Sequence, residues 1–216
     1  SIKPFKYKGL ELSKKDIYIT NTNAIENEID VNDDFKGEEL NLLNSEMLEM
    51  GVLIESAIKG AVDLLNKRDE AKAQKVFHYE DEIDKMELLI QNHCLRLLLE
   101  QQPVARDLRT ISSTLKMITD MERIGDQCKD IAEITVNLPD GFKVKSMDHI
   151  IEMADATIKM VNDTLQAYVD RDIEKAEKIV RDDDIVDDYF IKVRDDLIEM
   201  IVDEKNADPL SDIYCS

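Results

Sequence analysis

Apolar residues along most of the chain recur every three or four positions, which is the period of an α-helix buried on one side. The predicted helices begin near Asp34, Asp69, Pro103, Ser146 and Asp172, and the first, third, fourth and fifth end near Asn66, Val136, Val169 and Glu204. Asp69 suits an N-cap and Pro103 suits the first turn of a helix. Helices of about 30 residues joined by short connections must be antiparallel neighbours, so the sequence predicts an all-α bundle.

Residues 1–33 have a different pattern. Residues 16–20 alternate in polarity and are β-branched, and residues 21–23 are typical of a turn. This predicts extended or irregular structure with a short hairpin. No function is assigned to this amino-terminal extension.

The helical part repeats with an offset of 103 residues. Within 68–85 and 171–188, seven of eighteen positions are identical, against about one or two between unrelated segments. The identical pairs are Arg68/Arg171, Asp69/Asp172, Lys72/Lys175, Ala73/Ala176, Lys75/Lys178, Asp81/Asp184 and Asp84/Asp187. We therefore expect two three-helix repeats, 34–138 and 146–216, the second without its last helix.

Such an incomplete repeat would leave apolar surface uncovered. The residues concerned are Ile151, Ala154, Met160 and Val161 on the fourth helix and Ile185 and Ile198 on the fifth. We expect them to be covered by the first bundle, a second chain or the amino-terminal extension.

Acidic residues interrupt the apolar lines of two helices. On the third helix the line from Leu108 to Ile118 is predicted to continue at Glu122, and Asp126 follows one turn later. Carboxylates at this spacing repel each other, and carboxylates that face a bundle interior are costly unless protonated, paired or coordinating. The alternative is a solvated acidic face, which is common in a chain with 48 Asp and Glu.

The second helix carries the matching acids. Glu80 and Glu87 lie on its apolar line, Asp84 lies beside it, and the 103-residue offset repeats Glu80 and Asp84 as Asp183 and Asp187. Two acid pairs on facing helices supply four carboxylates, which suit Fe, Mn, Mg or Ca, with Zn less discriminating. We expect the two pairs to lie within about 5 Å of each other, since one ion can then bridge them, and Gly125 to permit that close approach.

The histidines do not fit a metal site. The Glu-x-x-His signature of di-iron bundles is absent, and His78, His93 and His149 are each expected at the surface or at a helix cap.

Charge and cysteine content narrow the class of protein. The net charge of −20 and the pI near 4.5 argue against binding to nucleic acid or to an anionic membrane. No apolar run approaches the length of a membrane span and no signal-peptide pattern opens the chain. Three cysteines without paired spacing are expected to be reduced thiols, which favours a cytoplasmic protein.

Several of these stretches together resemble the PhoU family of phosphate-uptake regulators. The similar runs are Gln-Pro-Val-Ala-Arg-Asp-Leu-Arg at 102–109, Met-Glu-Arg-Ile-Gly-Asp at 121–126, Ile-Ala-Glu at 131–133, Leu-Glu-Met-Gly at 48–51 and Asp-Asp-Ile-Val-Asp at 183–187. The resemblance covers about residues 34–208.

The resemblance implies two tandem three-helix bundles with acidic motifs that bind multinuclear iron or zinc clusters. The positions that match are Glu80, Asp84, Glu122, Asp126, Asp183 and Asp187, with Glu87 and Asp130 as further acids nearby. It also implies a cytoplasmic homodimer that restrains the phosphate ABC transporter through its ATPase. Such proteins signal phosphate sufficiency to a sensor histidine kinase and are not known as enzymes.

Two other functions remain open from the residues alone. One is a carboxylate-bridged di-metal enzyme built in the bundle, although such enzymes commonly use histidine ligands and need an open coordination position. The other is a metal-free helical scaffold whose acids are solvated.

Overall fold

The computed structural model describes residues 6–7, 10–11, 29–100, 105–139 and 147–206, with side chains from residue 37 onward except at 100, 201 and 203–206. The chain divides into two compact units, 1–40 and 41–216. In the first unit, β1 (Lys6–Tyr7) pairs with β2 (Leu10–Glu11) as an antiparallel hairpin. The extended segment predicted at 16–20 lies outside the described residues.

Five long helices form the rest of the described chain. They are α1 (Ile29–Asn66), α2 (Glu70–Glu100), α3 (Ala105–Asn137), α4 (Met147–Asp170) and α5 (Ile173–Asn206). The all-α prediction is confirmed, and the first helix begins five residues earlier than Asp34. None of the described helices has a stretch apolar enough, over sufficient length, to cross a membrane.

The N-cap predicted at Asp69 is confirmed, and Asp172 caps α5 in a similar way, while Pro103 lies outside the described residues. Asp69 Oδ1 accepts a hydrogen bond from the Ala71 amide at 2.8 Å at the start of α2. At the start of α5, Asp172 Oδ1 accepts one from the Lys175 amide at 2.9 Å. Each aspartate thus satisfies one of the unpaired amides at a helix N-terminus.

The cores of α1 and α2 follow the predicted apolar period closely. On α1 the buried residues are Leu43, Met47, Met50, Ile54, Ala57, Ile58, Ala61 and Leu64, and on α2 they include Val76, Ile83, Ile90, Cys94 and Leu97. Burial of these side chains is the main source of bundle stability, at about 1.5–3 kcal/mol for each large one.

The apolar line predicted for α3 is right at Ile111 and Ile118 but wrong at Leu108 and Glu122. Its buried residues include Ile111, Thr114, Ile118, Met121 and Gly125, whereas Leu108 is 49% exposed. Since successive helical residues are about 100° apart, a line through Met121 places Glu122 at its edge rather than on it. The acids of α3 therefore flank the core instead of replacing it.

Two glycines lie at close contacts between helices. A Cβ atom on Gly125 would meet Ile83 Cδ1 at 3.1 Å and Cγ2 at 3.2 Å, so α2 and α3 approach closely here, as predicted. A Cβ atom on Gly51 would collide with Leu165 Cδ1, which places α4 directly against α1.

The sequence repeat is also visible in the packing of helix pairs. Glu46 Oε2 lies 2.7 Å from His93 Nδ1 between α1 and α2. At the positions 103 residues later, His149 Nδ1 lies 2.6 Å from Asp196 Oδ2 between α4 and α5. The residue types are exchanged but the contact is kept, so α1–α2 and α4–α5 are packed in the same register.

His93 contradicts one prediction. It is buried at 6% exposure, not at the surface or at a cap. Contact with the Glu46 carboxylate on the neighbouring helix offsets the cost of burying this imidazole. That partner cannot be recognised from a single sequence.

The fourth and fifth helices differ in how much of their apolar surface is covered. Met160 and Val161 of α4 are half-buried and line a cavity with Met117 of α3, so α3 covers them in part. On α5, Val180 is 76% exposed and Ile198 is 53% exposed. That the second repeat lacks its last helix stays a prediction.

We expect the substitution Gly125→Leu to lower the free energy of unfolding by about 1–3 kcal/mol, because the new side chain overpacks the contact with Ile83. Urea unfolding followed by circular dichroism measures the change. The control is Gly37→Ala, where nothing lies within 4 Å of the added Cβ. A helical alanine there should leave stability unchanged or raise it by about 0.5–1 kcal/mol. Equal stability of Gly125→Leu and wild type would contradict the close packing.

Candidate metal centre

Carboxylates from two neighbouring helices meet beside the Gly125 contact. One oxygen from each of Glu80, Asp84 and Asp126 lies within 4.8 Å of the other two. Glu80 and Asp84 are one turn apart on α2, and Asp126 lies next to Gly125 on α3. Together with Glu122, one turn before Asp126, these four residues are called the carboxylate cluster.

Two oxygen atoms of the carboxylate cluster are buried without a hydrogen-bond partner. They are Glu80 Oε2 and Asp84 Oδ1, judged within the part of the chain that the structure describes. A buried acceptor left unpaired costs about 1–3 kcal/mol, and more if it is charged. Glu80 is only 4% exposed, so solvent does not supply the missing partner. Both atoms are therefore placed as ligand atoms for a cation would be.

Burial and neighbouring like charges together raise the pKa values of two acids of the cluster. Burial, and then the charges of Glu80 and Asp126, raise the pKa of Asp84 above its usual value. Burial, followed by the charges of Asp126 and Glu87, likewise raises the pKa of Glu122. In both residues the ionised form is disfavoured in the fold, which is the expected state of carboxylates that lack sufficient positive charge nearby.

Lys129 supplies part of that positive charge. Its Nζ donates a hydrogen bond to Glu80 Oε1 at 2.8 Å, and this bond is the main cause that raises the pKa of Lys129. This ion pair was not predicted from the sequence. Its only signal there was the position of Lys129, three residues after Asp126 on α3 and hence near the same face.

The other predicted acids lie at the margins or elsewhere. Glu87 is close enough to raise the pKa values of Asp84 and Glu122, and its Oε1 accepts a hydrogen bond from Thr119 at 3.3 Å. Asp130 is exposed, one turn beyond Asp126 on α3. Asp183 and Asp187 are exposed on α5, and neither belongs to a group of three ligand residues within the described chain.

The cluster fits a hard metal ion. Its donors are all carboxylate oxygens, which suit Fe, Mn, Mg and Ca and serve Zn less selectively. Within the described residues no histidine joins the group. The geometry unites Glu80, Asp84 and Asp126 as predicted, with Glu122 beside them, whereas their role as metal ligands stays a prediction.

The chain is similar in sequence to proteins of one known family. The family profile described as PhoU domain matches residues 47–135 and 150–214. A phosphate-specific transport system accessory protein PhoU homolog from Clostridium acetobutylicum is 36% identical over 169 residues, which are 78% of this chain and 77% of the relative. The homolog from Aquifex aeolicus is 30% identical over 167 residues, or 77% and 76% of the two chains.

Two solved structures have a similar fold. The crystal structure of PhoU from Pseudomonas aeruginosa superposes with a TM-score of 0.72 and 31% identity, covering 79% of this chain and 82% of the other. The phosphate transport system regulatory protein PhoU from Streptococcus pneumoniae gives 0.70 and 25% identity, covering 78% and 79%.

We expect Asp84→Asn to raise the stability of the chelator-treated protein by about 1 kcal/mol, because one of several mutually repelling buried charges is removed. The control is Asp130→Asn, an exposed acid on α3 outside the cluster, which should change stability little. Thermal unfolding in excess chelator measures both. If Asp84→Asn matches the control or is less stable than wild type, the cluster is not under net repulsion.

We expect Lys129→Gln to tighten binding of Mn²⁺ by roughly tenfold, because a positive charge beside the ligand atoms is removed. The same substitution should destabilise the chelated protein, since Glu80 loses its only counter-ion among the described residues. Isothermal titration calorimetry measures the affinity. The control is Lys85→Gln, which removes an ion pair with Glu82 on the exposed surface of α2. Unchanged or weaker Mn²⁺ binding in Lys129→Gln would contradict a cation site at the cluster.

Proposed function

The chain belongs to the PhoU family, and from this premise we propose that it is a metal-binding regulator of phosphate uptake. The family profile covers most of the helical chain, in two segments. The relatives from Clostridium acetobutylicum and Aquifex aeolicus are named as accessory proteins of the phosphate-specific transport system. Regulation of that transport system is the function that this membership supports best.

The finer parts of the proposal concern partners. We infer that the protein acts on the ATPase of the phosphate ABC transporter and passes a signal of phosphate sufficiency to a sensor histidine kinase. We also infer a cytoplasmic homodimer. Support for the dimer comes from the apolar side chains that α5 exposes, since surfaces of this kind commonly mark protein contacts.

The observation that carries the metal-binding part is the pair of buried, unpaired oxygens. Glu80 Oε2 and Asp84 Oδ1 lie beside Asp126, at separations that one ion with oxygen ligands at about 2–2.6 Å can bridge. Iron or zinc is the first candidate from the family resemblance, and manganese, magnesium or calcium fits the same donor set.

The bound ion would act on the bundle through charge and geometry. It would neutralise the carboxylates that α2 and α3 bring together and supply the missing partners of their oxygens. Because its ligands come from both helices, the ion would also connect α2 to α3 and make their spacing more rigid. A partner that contacts this side of the bundle would then meet a different surface charge in the loaded and metal-free states.

We expect a variant with both Glu122→Ala and Asp126→Ala to lose metal binding while keeping its helices. Binding to the native state adds RT ln(1 + [L]/Kd), which is about 2.7 kcal/mol at a hundredfold excess over Kd. Thermal unfolding with and without chelator therefore separates the states. Chelator should destabilise wild type and leave the variant unchanged. A variant at least as stable as wild type, with no chelator effect on either protein, would contradict the metal site and show that these acids lie on a solvated surface.

The regulatory role has its own test in cells. In a host that lacks its own copy of the regulator, expression of wild type should repress a phosphate-starvation reporter at high phosphate. The same double variant should repress it less, and the variant Asp130→Asn should repress it as wild type does. Full repression by a double variant that binds no metal would separate phosphate regulation from metal binding. No repression by wild type, at normal protein levels, would contradict the proposed regulation.

A further inference from the structure

A second cavity lies among α3, α4 and α5, with a volume of about 670 Å³. Its apolar walls include Met117 of α3, Ala167 of α4 and Ile179 of α5. This volume is within the range of about 300–1,000 Å³ that small-molecule sites occupy. The walls are therefore suited to an apolar group of a small ligand.

Arginines gather at this cavity. The chain has eight, at positions 68, 96, 106, 109, 123, 171, 181 and 194, against a net charge of −20. Three of the eight, Arg106, Arg109 and Arg171, line the cavity. No ion pair joins any of these three to a residue of the described chain, whereas Arg123 and Arg194 pair with aspartates. The cavity is thus a positive region on an acidic protein.

Among the described residues, a single acid lines the cavity, and it has another role. Asp172 Oδ1 accepts the hydrogen bond from the Lys175 amide and caps α5. Its charge is directed at a helix N-terminus, where negative charge is favourable. Asp172 therefore does not substitute for an ion-pair partner of the arginines.

The three arginines come from two parts of the backbone. Arg106 and Arg109 belong to the first turns of α3, which begins at Ala105, and residues three apart on a helix have Cβ atoms about 5–6 Å apart. Arg171 follows α4 with a φ of 56°, in the left-handed region. Glycine is usual at such a position after a helix, so the arginine is held there in a backbone conformation that disfavours it.

We propose that this cavity binds a small organic phosphate, with its phosphate group at Arg106, Arg109 and Arg171 and its apolar body against Met117 and Ile179. Guanidinium groups match phosphate oxygens in bidentate geometry. Three guanidinium groups carry more positive charge than a single carboxylate would neutralise. An anion with more than one negative charge is therefore favoured. Inorganic phosphate alone would leave the apolar walls in contact with water, which favours an organic one.

This site is independent of the carboxylate cluster. Arg109 and Glu122 are thirteen residues apart on α3, which is about 20 Å along a helix. The cavity also uses α4 and α5, which contribute no residue to the cluster. Binding at the cavity can therefore be measured in metal-stripped protein, where phosphate cannot bind through a metal ion.

The test compares three probes on the full chain in the presence of chelator: 1-naphthyl phosphate, inorganic phosphate and 1-naphthol. Calorimetric titration should show 1-naphthyl phosphate binding at least about tenfold more tightly than either of the others, since only it offers both the charged and the apolar part. Equal affinities for 1-naphthyl phosphate and 1-naphthol would overturn the proposal, because apolar adsorption then explains the binding. So would the absence of any binding by 1-naphthyl phosphate.

The substitution Arg171→Gly separates binding from folding. It removes one charge at a backbone position that glycine adopts readily, so the midpoint of thermal unfolding should not fall. Affinity for 1-naphthyl phosphate should fall about tenfold, and affinity for 1-naphthol should not change. The control is Arg123→Gln, an exposed arginine of α3 that does not line the cavity. Equal affinity of Arg171→Gly and Arg123→Gln for 1-naphthyl phosphate would overturn the assignment.

Discussion

The close contact between α2 and α3 is the constraint on which the candidate metal centre depends. With Ile83 atoms only 3.1 and 3.2 Å from where a Cβ of Gly125 would be, the two helix axes cannot move closer, and the buried apolar line prevents them from moving apart. Glu80 and Asp126 lie beside this contact. Their charges are therefore held together by packing that they do not themselves stabilise.

Lys129 reduces this conflict without removing it. A single ammonium group bonds one oxygen of Glu80, while the other oxygen and one oxygen of Asp84 remain unpaired. One positive charge stands against four carboxylates, so the cluster keeps a negative field. A divalent or trivalent ion would be the largest local charge and would cancel most of that field. Burial first, and then the charges of neighbouring acids, raise the pKa values of Asp84 and Glu122, in keeping with this incomplete compensation.

The helices could be predicted from sequence because their period and caps are local properties, but the phase of α3 could not. Thr114 is fully buried, although a threonine is normally assigned to a surface. Its hydroxyl bonds the Thr110 carbonyl at 3.0 Å and meets the Tyr168 hydroxyl at 2.5 Å. The second partner lies 54 residues away, on α4. The same limit applies to Lys129 with Glu80 and to the arginines of the cavity, which meet only across helices.

The duplication shows which features follow from packing and which from local chemistry. The acid–histidine contact keeps its place in both helix pairs although its residue types are exchanged, so the register of the pair is independent of which side carries the imidazole. Arg68 donates to the carbonyls of Leu138 and Pro139 at the end of α3, whereas its counterpart Arg171 lines the cavity. Two arginines at equivalent positions of the repeat thus have different roles, because different elements lie next to them.

The same reasoning applies to the second acid pair. Asp183 and Asp187 repeat Glu80 and Asp84 in sequence, yet they are exposed on α5. Glu80 is desolvated because α3 packs beside it and brings Asp126 within reach. Among the described helices, α5 has no equivalent acidic helix at that place. An acid pair without a facing helix therefore lies on a solvated surface. It becomes a candidate metal centre only where a second helix buries it and contributes facing carboxylates.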